Sequence, residues 1–457
     1  MNIKYLNHAS VLIEDSGHFL LLDPWHIKPS FGSWLSAPPS AINPVYLAAL
    51  AKSRGSSFSI VISHGHDDHC DNDYLQMFPK QTTVIIPKFA APGLRKRIEN
   101  IGFKNILEVG SGEIEHGVYS FRSFVHHDIS HDDAIVTIRT KDKLVVHAND
   151  NWKKLDDFCT NTIKSDVKRI TNKNNVLLMS QCNLADGFPY CYTNFSREEQ
   201  VDIANNRIIT MTNSSLDNAE SIGAKYFLNY AGHTKIFVED KPDLLSLSGF
   251  KSFDFIKNCL KDRQVEILEV YPGDSFDFQK VNKLFGESYY TEEELKQSSV
   301  DYYQNYNIVK ETDSHLHGCE IYSEDERLEK IVYFLENFNE YVNSKKGTTK
   351  GEFKTGVYGK TIGFEDSSTN CTVTLKVGDE SVEVLDTSDV VVTDTTFKLK
   401  PSIIDAILAG NINWENAYIG FQVDVHVEEK GYNNCDIIRW LAMYGYVYQN
   451  KIMRSNV

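Results

Sequence analysis

The sequence predicts an α/β fold, an αββα sandwich in which helices cover the outer faces of two sheets, followed by a carboxyl-terminal α+β region. Short apolar, β-branched runs alternate with a helical pattern in the first 110 residues, and one of these runs ends in a cluster of histidines. The pattern changes beyond about residue 290. At 457 residues the chain is too long for one ordinary core, which predicts two or more domains.

The amino-terminal part is predicted to be rich in strands. Residues 8–14 and 18–23 are predicted to pair as a hairpin across the turn formers at 15–17. Residues 94–101 have the pattern of a helix that ends at Gly102. Further strands are predicted at residues 60–62, 82–86, 105–109, from 121, and at 135–139, 143–147, 176–180 and 225–230. This strand–helix–strand order favours two sheets with helices outside.

The carboxyl-terminal part has a different pattern. Ser323 and Glu326 form a capping box that opens a helix whose apolar residues recur every three or four positions to about residue 346. Residues 347–400 alternate as in an antiparallel sheet, and residues 400–408 have a helical pattern. The predicted units are therefore a catalytic domain at 1–290, a helical connecting segment at 291–346 and an α+β domain at 347–457.

Composition limits the function. The hydrophobic share of 41% predicts a folded globular protein, and the net charge of −16 argues against nucleic acid or an anionic membrane as the partner. The sequence has no apolar run of membrane-spanning length and no secretory signal at residue 1. Eight cysteines without Cys-x-x-Cys pairs are typical of a reducing compartment. We therefore expect a cytoplasmic protein with a small-molecule substrate.

Residues 59–69, Ser-Ile-Val-Ile-Ser-His-Gly-His-Asp-Asp-His, are the most informative stretch. A predicted buried strand ends directly at His64, His66 and His69, with Asp68 beside them. A strand end fixes the direction of such side chains, which a metal site requires. The alternative interpretation is a polar turn after a core strand. The density of metal-binding groups favours a metal centre.

The spacing His-x-His-x-Asp-His resembles the metal motif of the metallo-β-lactamase superfamily at every position. The resemblance implies that His64 and His66 hold one divalent ion, with zinc, iron and manganese as candidates. It implies that Asp68 and His69 help to hold a second ion. If only one ion is bound, Asp68 acts as a base and His69 supports a ligand. Two such ions can share a bridging hydroxide and stabilise charge on the substrate.

The same resemblance implies ligands at later strand ends. His127 and His131 have the spacing of the family's His-Thr-x-Gly-His stretch, so His127 is the expected ligand and His131 a supporting group, with His126 as the alternative ligand. Asp150 is the expected bridging carboxylate, and a plain turn aspartate is the alternative. His233 lies about two residues beyond the family's last ligand position, which leaves open whether one or two metals bind.

Two further segments contain candidate site residues. Asp23-Pro24-Trp25 resembles the subgroup with ascorbate-phosphate lactonases and N-acyl-ethanolamine phospholipases, where the aspartate lies behind the metals. Capping of a turn is an equal alternative for Asp23. Tyr190 and Tyr192 lie in an aromatic loop that either lines a substrate pocket or packs on the surface.

Landmarks over nearly the whole chain resemble the CMP-N-acetylneuraminate hydroxylase family. They lie at residues 21–25, 62–69, 178–180, 187–189, 230–232, 271–274 and 414–422. That family uses iron and oxygen to hydroxylate a nucleotide-activated sialic acid and receives electrons through a Rieske cluster. This chain has no Cys-x-His or Cys-x-x-His pair, so we expect no Rieske cluster in it.

These observations predict a metal-dependent hydrolase in which metal-bound hydroxide attacks a phosphoryl or acyl centre of a small substrate, which could be nucleotide- or sugar-linked. Asp68 is the expected catalytic residue, either orienting that nucleophile or acting as its base. The alternative is an iron-dependent oxygenase with a separate electron donor. A third class is a metal-stabilised binding subunit without turnover. The carboxyl-terminal region resembles sterol-carrier-like modules, and the sequence leaves open whether the chain forms a homo-oligomer.

Overall fold

The computed structural model describes most of the chain. The described residues are 1–26, 29–37, 39–125, 133–232, 234–238, 240–244, 253–259, 263–284, 321–344, 360–369, 371–377, 382–385, 393–428, 441, 444–445 and 447–448.

Two sheets form the amino-terminal part. The strands of this part of the chain are β1 (Asn2–Asn7), β2 (Ser10–Asp15), β3 (His18–Leu22), β4 (Trp34–Ser36), β5 (Phe58–Val61), β6 (Thr83–Pro87), β7 (Asn105–Val109), β8 (Ile114–His116), β9 (Tyr119–Val125), β10 (Ala134–Arg139), β11 (Leu144–Asn149), β12 (Val176–Gln181), β13 (Tyr226–Tyr230), β14 (Thr234–Ile236), β15 (Glu266–Ile267), β16 (Ser275–Phe276) and β17 (Val281–Asn282). The first sheet has the order β17-β16-β1-β2-β3-β5-β6-β7, and the second has the order β15-β13-β12-β11-β10-β9-β8. Strands β4 and β14 pair separately. The predicted hairpin is confirmed, because β2 and β3 pair antiparallel up to Asp15 and His18.

Helices cover the outer face of each sheet. They are α1 (Pro44–Arg54), α2 (Asn72–Gln76), α3 (Gly93–Ile101), α4 (Asp157–Arg169), α5 (Arg197–Ile222) and α6 (Phe253–Cys259). Helices α1 to α3 contribute to the apolar cluster outside the first sheet, and α4 to α6 to the cluster outside the second. Among the helices within the described ranges, none combines the length and apolarity needed to span a bilayer.

A third apolar cluster lies between the two sheets. Ile13 and Val61 of the first sheet contact the layer formed by Val145 and Met179 of the second, and all four side chains are fully buried. Alternate residues of these strands therefore face either the central layer or the outer helices. The three apolar layers confirm the predicted αββα sandwich.

A mixed five-stranded sheet forms the carboxyl-terminal module, defined as the described part of residues 321–448. It consists of β18 (Thr361–Asp366), β19 (Cys371–Val377), β20 (Val382–Val384), β21 (Thr395–Leu399) and β22 (Val423–Val427), with helices α7 (Glu324–Ser344), α8 (Pro401–Leu408) and α9 (Trp414–Ile419). The strand order is β20-β19-β18-β21-β22. The antiparallel pairing predicted for residues 347–400 is confirmed for β19 with β18 and β20, whereas β18 and β21 pair parallel. Alternation of apolar residues reports a half-buried strand but not its direction.

The module shares a core with the amino-terminal part. Trp34 and Tyr192 belong to the same buried cluster as Phe397 and Trp414 of the module. Backbone hydrogen bonds cross the boundary as well, from Thr193 N to the Val425 carbonyl at 2.8 Å and from Val425 N to the Cys191 carbonyl at 2.9 Å. These contacts hold the module against the sandwich.

Candidate metal centre

Polar side chains converge where several strands of the sandwich end. Strands β1, β3 and β5 point the same way in the first sheet, and their last residues meet the end of β11 in the second. His8, Asp23 and Asn149, at or just after three of these strand ends, have positive φ angles of 33°, 40° and 42°. Left-handed backbone costs about 1–2 kcal/mol for a residue other than glycine. The chain therefore turns sharply at this rim.

A first cluster consists of His64, His66 and Asp150. His64 Nε2 lies 2.9 Å from His66 Nδ1 and 3.7 Å from Asp150 Oδ2. Asp133 Oδ1 is 3.6 Å from the same His64 nitrogen. One ligating atom from each member of the cluster lies within 4.8 Å of the others. His64 is 1% exposed and Asp150 remains partly accessible, so the cluster opens to one side.

A second cluster consists of His8, Asp68 and His69. Asp68 Oδ2 lies 2.9 Å from His8 Nε2 and 3.4 Å from His69 Nε2. His69 Nε2 is also 3.3 Å from Asp150 Oδ1. Asp150 therefore directs one oxygen to each cluster, which is the position that a bridging carboxylate requires.

Asp23 lies behind both clusters and accepts hydrogen bonds from four donors. Ser63 donates from its backbone N to Oδ1 and from its Oγ to Oδ2, each at 2.7 Å. His69 Nδ1 donates to Oδ2 at 2.8 Å and His147 Nε2 donates to the same oxygen at 2.9 Å. Asp23 is completely buried and acts on the histidines rather than as a simple turn cap.

These bonds determine which ring nitrogens carry hydrogen. Because His69 donates from Nδ1 to Asp23, its Nε2 faces Asp68 and Asp150 and carries a lone pair when the ring is neutral. The Ser63 hydroxyl gives its hydrogen to Asp23 and must therefore accept from His64 Nδ1, 3.0 Å away. His64 Nε2 is then also left with a lone pair. Asp23 thus fixes the orientation of both rings, with Nε2 of each facing the clusters.

The histidine pKa values shift in opposite directions. Burial would lower the pKa of His69, but the carboxylates of Asp68, Asp150 and Asp23 raise it well above its usual value, so a bound cation would have to displace a proton from this ring. Burial, together with the neighbouring His69 and His66 rings, lowers the pKa of His64 well below its usual value. Burial alone would raise the pKa of Asp68, but its contacts with His69 and His8 outweigh burial and hold that pKa well below the usual range. Likewise, burial would lower the pKa of His66, but the carboxylates of Glu415 and Asp133 raise it. His64 is therefore neutral and Asp68 is ionised.

The donor set fits one or two divalent cations. Zinc binds imidazole nitrogen and carboxylate oxygen at about 2.0–2.2 Å, so atoms that share one ion lie about 3–3.5 Å apart. The spacings of His64 with His66 and of His69 with Asp150 are close to this range. In addition, Asp68 Oδ1 is buried without a hydrogen-bond partner among the described residues. A buried ionised oxygen in that state is costly unless a cation or water meets it.

The structure brings together most of the sites predicted in the first half of the chain. His64, His66, Asp68, His69, Asp150 and Asp23 all lie at the rim. The predicted ligand His127, its alternative His126, the supporting His131 and the displaced His233 lie outside the described residues.

Three contributors were not predicted. His8 holds Asp68, His147 holds Asp23, and Glu415 of α9 approaches His66, with 4.0 Å between Glu415 Oε1 and His66 Nε2. His147 is the last residue of a predicted strand, a signal that could have found it, whereas His8 was placed at the start of the strand predicted at 8–14 and in fact follows β1. Glu415 has no local signal, since 349 residues separate it from His66.

The two tyrosines proposed for a substrate pocket pack between the sandwich and the module. Tyr192 is completely buried, and its ring meets Phe188 edge-on at 4.8 Å. Tyr190 is partly buried and lies 6.4 Å from the ring of Phe421. Tyr192 therefore packs in the interior and not on the surface, and a role of either tyrosine in a substrate pocket stays a prediction.

Comparison with known proteins finds similarity in the amino-terminal part. Residues 2–112 match the family described as beta-lactamase superfamily domain. A protein of Mycolicibacterium smegmatis, named as a candidate Rieske 2Fe-2S iron-sulfur protein, is 31% identical over 119 residues, which are 26% of this chain and 22% of that protein. A Mycobacterium tuberculosis protein with the same type of name is 30% identical over 109 residues, 24% of this chain and 20% of that protein. The chain thus spans about a fifth of the length of these curated relatives.

Solved structures show weaker similarity. A possible metal-dependent hydrolase from Veillonella parvula is 13% identical, with a TM-score of 0.40, 60% of this chain covered and 98% of that chain covered. A variant of the CmlA beta-hydroxylase is 14% identical, with a TM-score of 0.36 and coverage of 62% of this chain and 54% of that chain.

Proposed function

We propose that this chain is a metal-dependent hydrolase acting on a phosphoryl or acyl centre of a small substrate, a proposal supported by the match of residues 2–112 to the beta-lactamase superfamily domain. The substrate class includes nucleotide- and sugar-linked esters. The observation that carries the proposal is the convergence of His64, His66, His69 and Asp150, with two of the imidazoles fixed by Asp23 so that a lone pair faces the cluster.

In this proposal His64, His66 and Asp150 hold one cation, and Asp68 and His69 contribute to a second. When bound, such cations lower the pKa of water and stabilise negative charge on a substrate oxygen. Asp150 lies between the two positions and fixes their separation.

Asp68 is the proposed catalytic side chain. His8 holds its Oδ2 at 2.9 Å, while its Oδ1 has no hydrogen-bond partner among the described residues. Oδ1 can therefore accept a hydrogen bond from the attacking water and orient it. A carboxylate whose pKa is held low is a weak proton acceptor, so orientation is favoured over proton abstraction.

A second candidate is oxygenation with iron held by the same side chains. The observation in its favour is that curated relatives of part of this chain are named as candidate Rieske proteins. The sequence also resembles the CMP-N-acetylneuraminate hydroxylase family at several landmarks. Because the given sequence has no Rieske cysteine–histidine pair, the electrons would then come from a redox centre outside these residues, such as a separate electron donor.

Metal analysis and two assays test the proposal. We expect protein purified without added metal to contain zinc or manganese and to cleave a chromogenic phosphodiester. His66→Ala should abolish this activity, whereas His426→Ala, which removes an exposed imidazole on β22, should retain it. Iron, with oxygen consumption on adding reductant and no phosphodiester cleavage, would favour the oxygenase. A wild-type chain that behaves like His66→Ala in both assays would point to a binding subunit.

A further inference from the structure

Helix α9 of the carboxyl-terminal module reaches the histidine motif of the sandwich. Glu415 Oε1 lies 4.0 Å from His66 Nε2, and the next residue, Asn416, donates from Nδ2 to Asp67 Oδ2 at 3.5 Å. Two consecutive residues of one short helix thus approach two consecutive residues of the metal motif. We propose that Glu415 is a positioning residue for His66, so that the module completes the metal centre.

The role follows from the two nitrogens of the His66 ring. Nδ1 faces His64 inside the first cluster, and Nε2 faces Glu415 on the outside. A hydrogen on Nε2 that is directed at the Glu415 carboxylate leaves Nδ1 with the lone pair that a metal needs. Asp23 accepts the Nδ1 hydrogen of His69 directly, and the Ser63 hydroxyl, itself bonded to Asp23, accepts that of His64. Glu415 provides the corresponding acceptor for the third histidine.

The distance of 4.0 Å between Glu415 Oε1 and His66 Nε2 is only slightly longer than a hydrogen bond. A hydrogen bond between imidazole and carboxylate needs about 2.7–3.2 Å, so a shift of about 1 Å in one flexible side chain closes it. Glu415 and His66 are both only partly exposed, at 24% and 27% of their side-chain area. The pair is therefore shielded more than an ordinary surface ion pair, which contributes little.

The backbone that carries Glu415 is held firmly. Asn413 caps α9 by accepting a hydrogen bond from Asn416 N at 2.8 Å. At the other end, Trp34 Nε1 donates to the Ile419 carbonyl at 2.8 Å and Ser33 Oγ donates to the Gly420 carbonyl at 2.6 Å. Trp414, beside Glu415, is buried against Phe364 and Phe397.

The end of α9 is also closely packed against the neighbouring backbone. A side chain on Gly420 would collide with the Phe31 and Asn416 carbonyl oxygens. Both ends of α9 are thus anchored to the sandwich or to the module core, and Glu415 is presented from a rigid element. Such support is what a group that orients a ligand needs.

This inference rests on the proposed metal-dependent function, and the affinity for zinc tests it without any activity assay. Glu415→Ala should weaken zinc binding about 10-fold or more, as loss of an acceptor behind a ligating histidine does. Glu415→Gln should weaken binding less, because its amide oxygen still accepts a hydrogen bond. Glu383→Ala on β20 removes an exposed carboxylate of the same module and should leave zinc binding unchanged.

Zinc dissociation constants are measured by competition with a chromogenic chelator, with circular dichroism and thermal unfolding of the metal-free proteins alongside. Equal zinc affinity of wild type and Glu415→Ala would overturn the inference while leaving the proposed function standing. Equal losses in Glu415→Ala and Glu415→Gln, with lowered thermal stability in both, would also overturn it, since a general structural defect would then explain the result. A wild-type chain that binds no zinc or other divalent metal would refute the proposed function and the inference with it.

Discussion

At the scale of single residues, Asp23 accepts four hydrogen bonds at the candidate metal centre. Its two oxygens accept from Ser63, His69 and His147 in a site without solvent access. Burial would raise the pKa of its carboxyl group, but the contacts with His147 and His69 hold that pKa far below its usual value. The ionised group therefore fixes the protonation pattern of the histidines around it.

The variant Asp23→Asn keeps the size of the side chain and removes its charge, so it distinguishes the hydrogen-bonding role of Asp23 from packing. An amide has one oxygen, so its NH2 group must face a donor that Asp23 now satisfies, and leaving a buried donor unpaired costs about 1–3 kcal/mol. We expect zinc affinity to fall about 10- to 100-fold and the free energy of unfolding of the metal-free protein to fall as well. Chelator competition and urea denaturation measure the two effects.

Asp157→Asn on the exposed first turn of α4 is the matched control and should change neither quantity. Unaltered zinc affinity in Asp23→Asn would contradict the orienting role of Asp23.

At the scale of elements, a charged network connects α4 to the edge of the second sheet. Glu113, just before β8, pairs with Arg122 of β9 at 2.9 Å and also with Arg139 of β10 and Arg169 at the end of α4. Hydrogen bonds from Arg169 and Arg139 lower the pKa of Glu113 from its ordinary 4.5 to about 2. One carboxylate thus joins three elements.

The depressed pKa of Glu113 predicts acid sensitivity. Because the folded-state pKa lies below the unfolded one, the stabilisation is complete above pH 4.5 and is lost as the pH falls towards about 2. We expect Glu113→Gln to lower the urea midpoint near neutral pH and to flatten its decline between pH 4.5 and about 2. The measurement is urea denaturation across this pH range.

Glu115→Gln, on an exposed side chain of β8, serves as the control and should reproduce the wild-type curve. A Glu113→Gln curve parallel to the wild type throughout would argue that other carboxylates cause the acid sensitivity.

At the scale of the whole molecule, the shared core links the sandwich with the module. The buried cluster around Trp34, Tyr192, Phe397 and Trp414 contains residues of both parts. Unfolding one part would expose apolar surface of the other, at about 25 cal/mol for each Å² exposed. The two parts should therefore unfold together.

Calorimetry tests this coupling together with metal binding. We expect a single thermal transition that moves to higher temperature when zinc is added and back when a chelator is added. At a free zinc concentration 100 times the dissociation constant, the added stability is about 2.7 kcal/mol. His66→Ala should show the same single transition in the absence of metal and a reduced response to zinc. Two separate transitions, of which zinc shifts one, would contradict the coupling.

The parts of this structure that the sequence predicts are those with a local signal. The motif at 64–69 has a short fixed spacing after a buried strand, and Asp150 follows another strand. Asn149 could be understood as a replacement for glycine, and its φ of 42° explains why a residue that tolerates left-handed backbone stands there.

Other features of the structure have no such local pattern in the sequence. Helix α5 is 26 residues long, yet its interior contains many asparagine, serine and threonine residues, which are weak helix formers. Its capping box, Ser196 with Glu199, was the one clear indication. Glu415 is brought to His66 only by the packing of the module on the sandwich, which no local pattern reports.

The joint packing of sandwich and module has one more consequence. A backbone break between Leu284 and Ile321 would place Trp34 and Tyr192 on one fragment and Phe397 and Trp414 on the other, so the shared apolar cluster would join the two fragments. The two fragments would stay associated like the subunits of an obligate heterodimer, whose interface resembles a protein interior divided in two. Proteolytic nicking there would change the band pattern on a denaturing gel without changing the elution volume of the native protein.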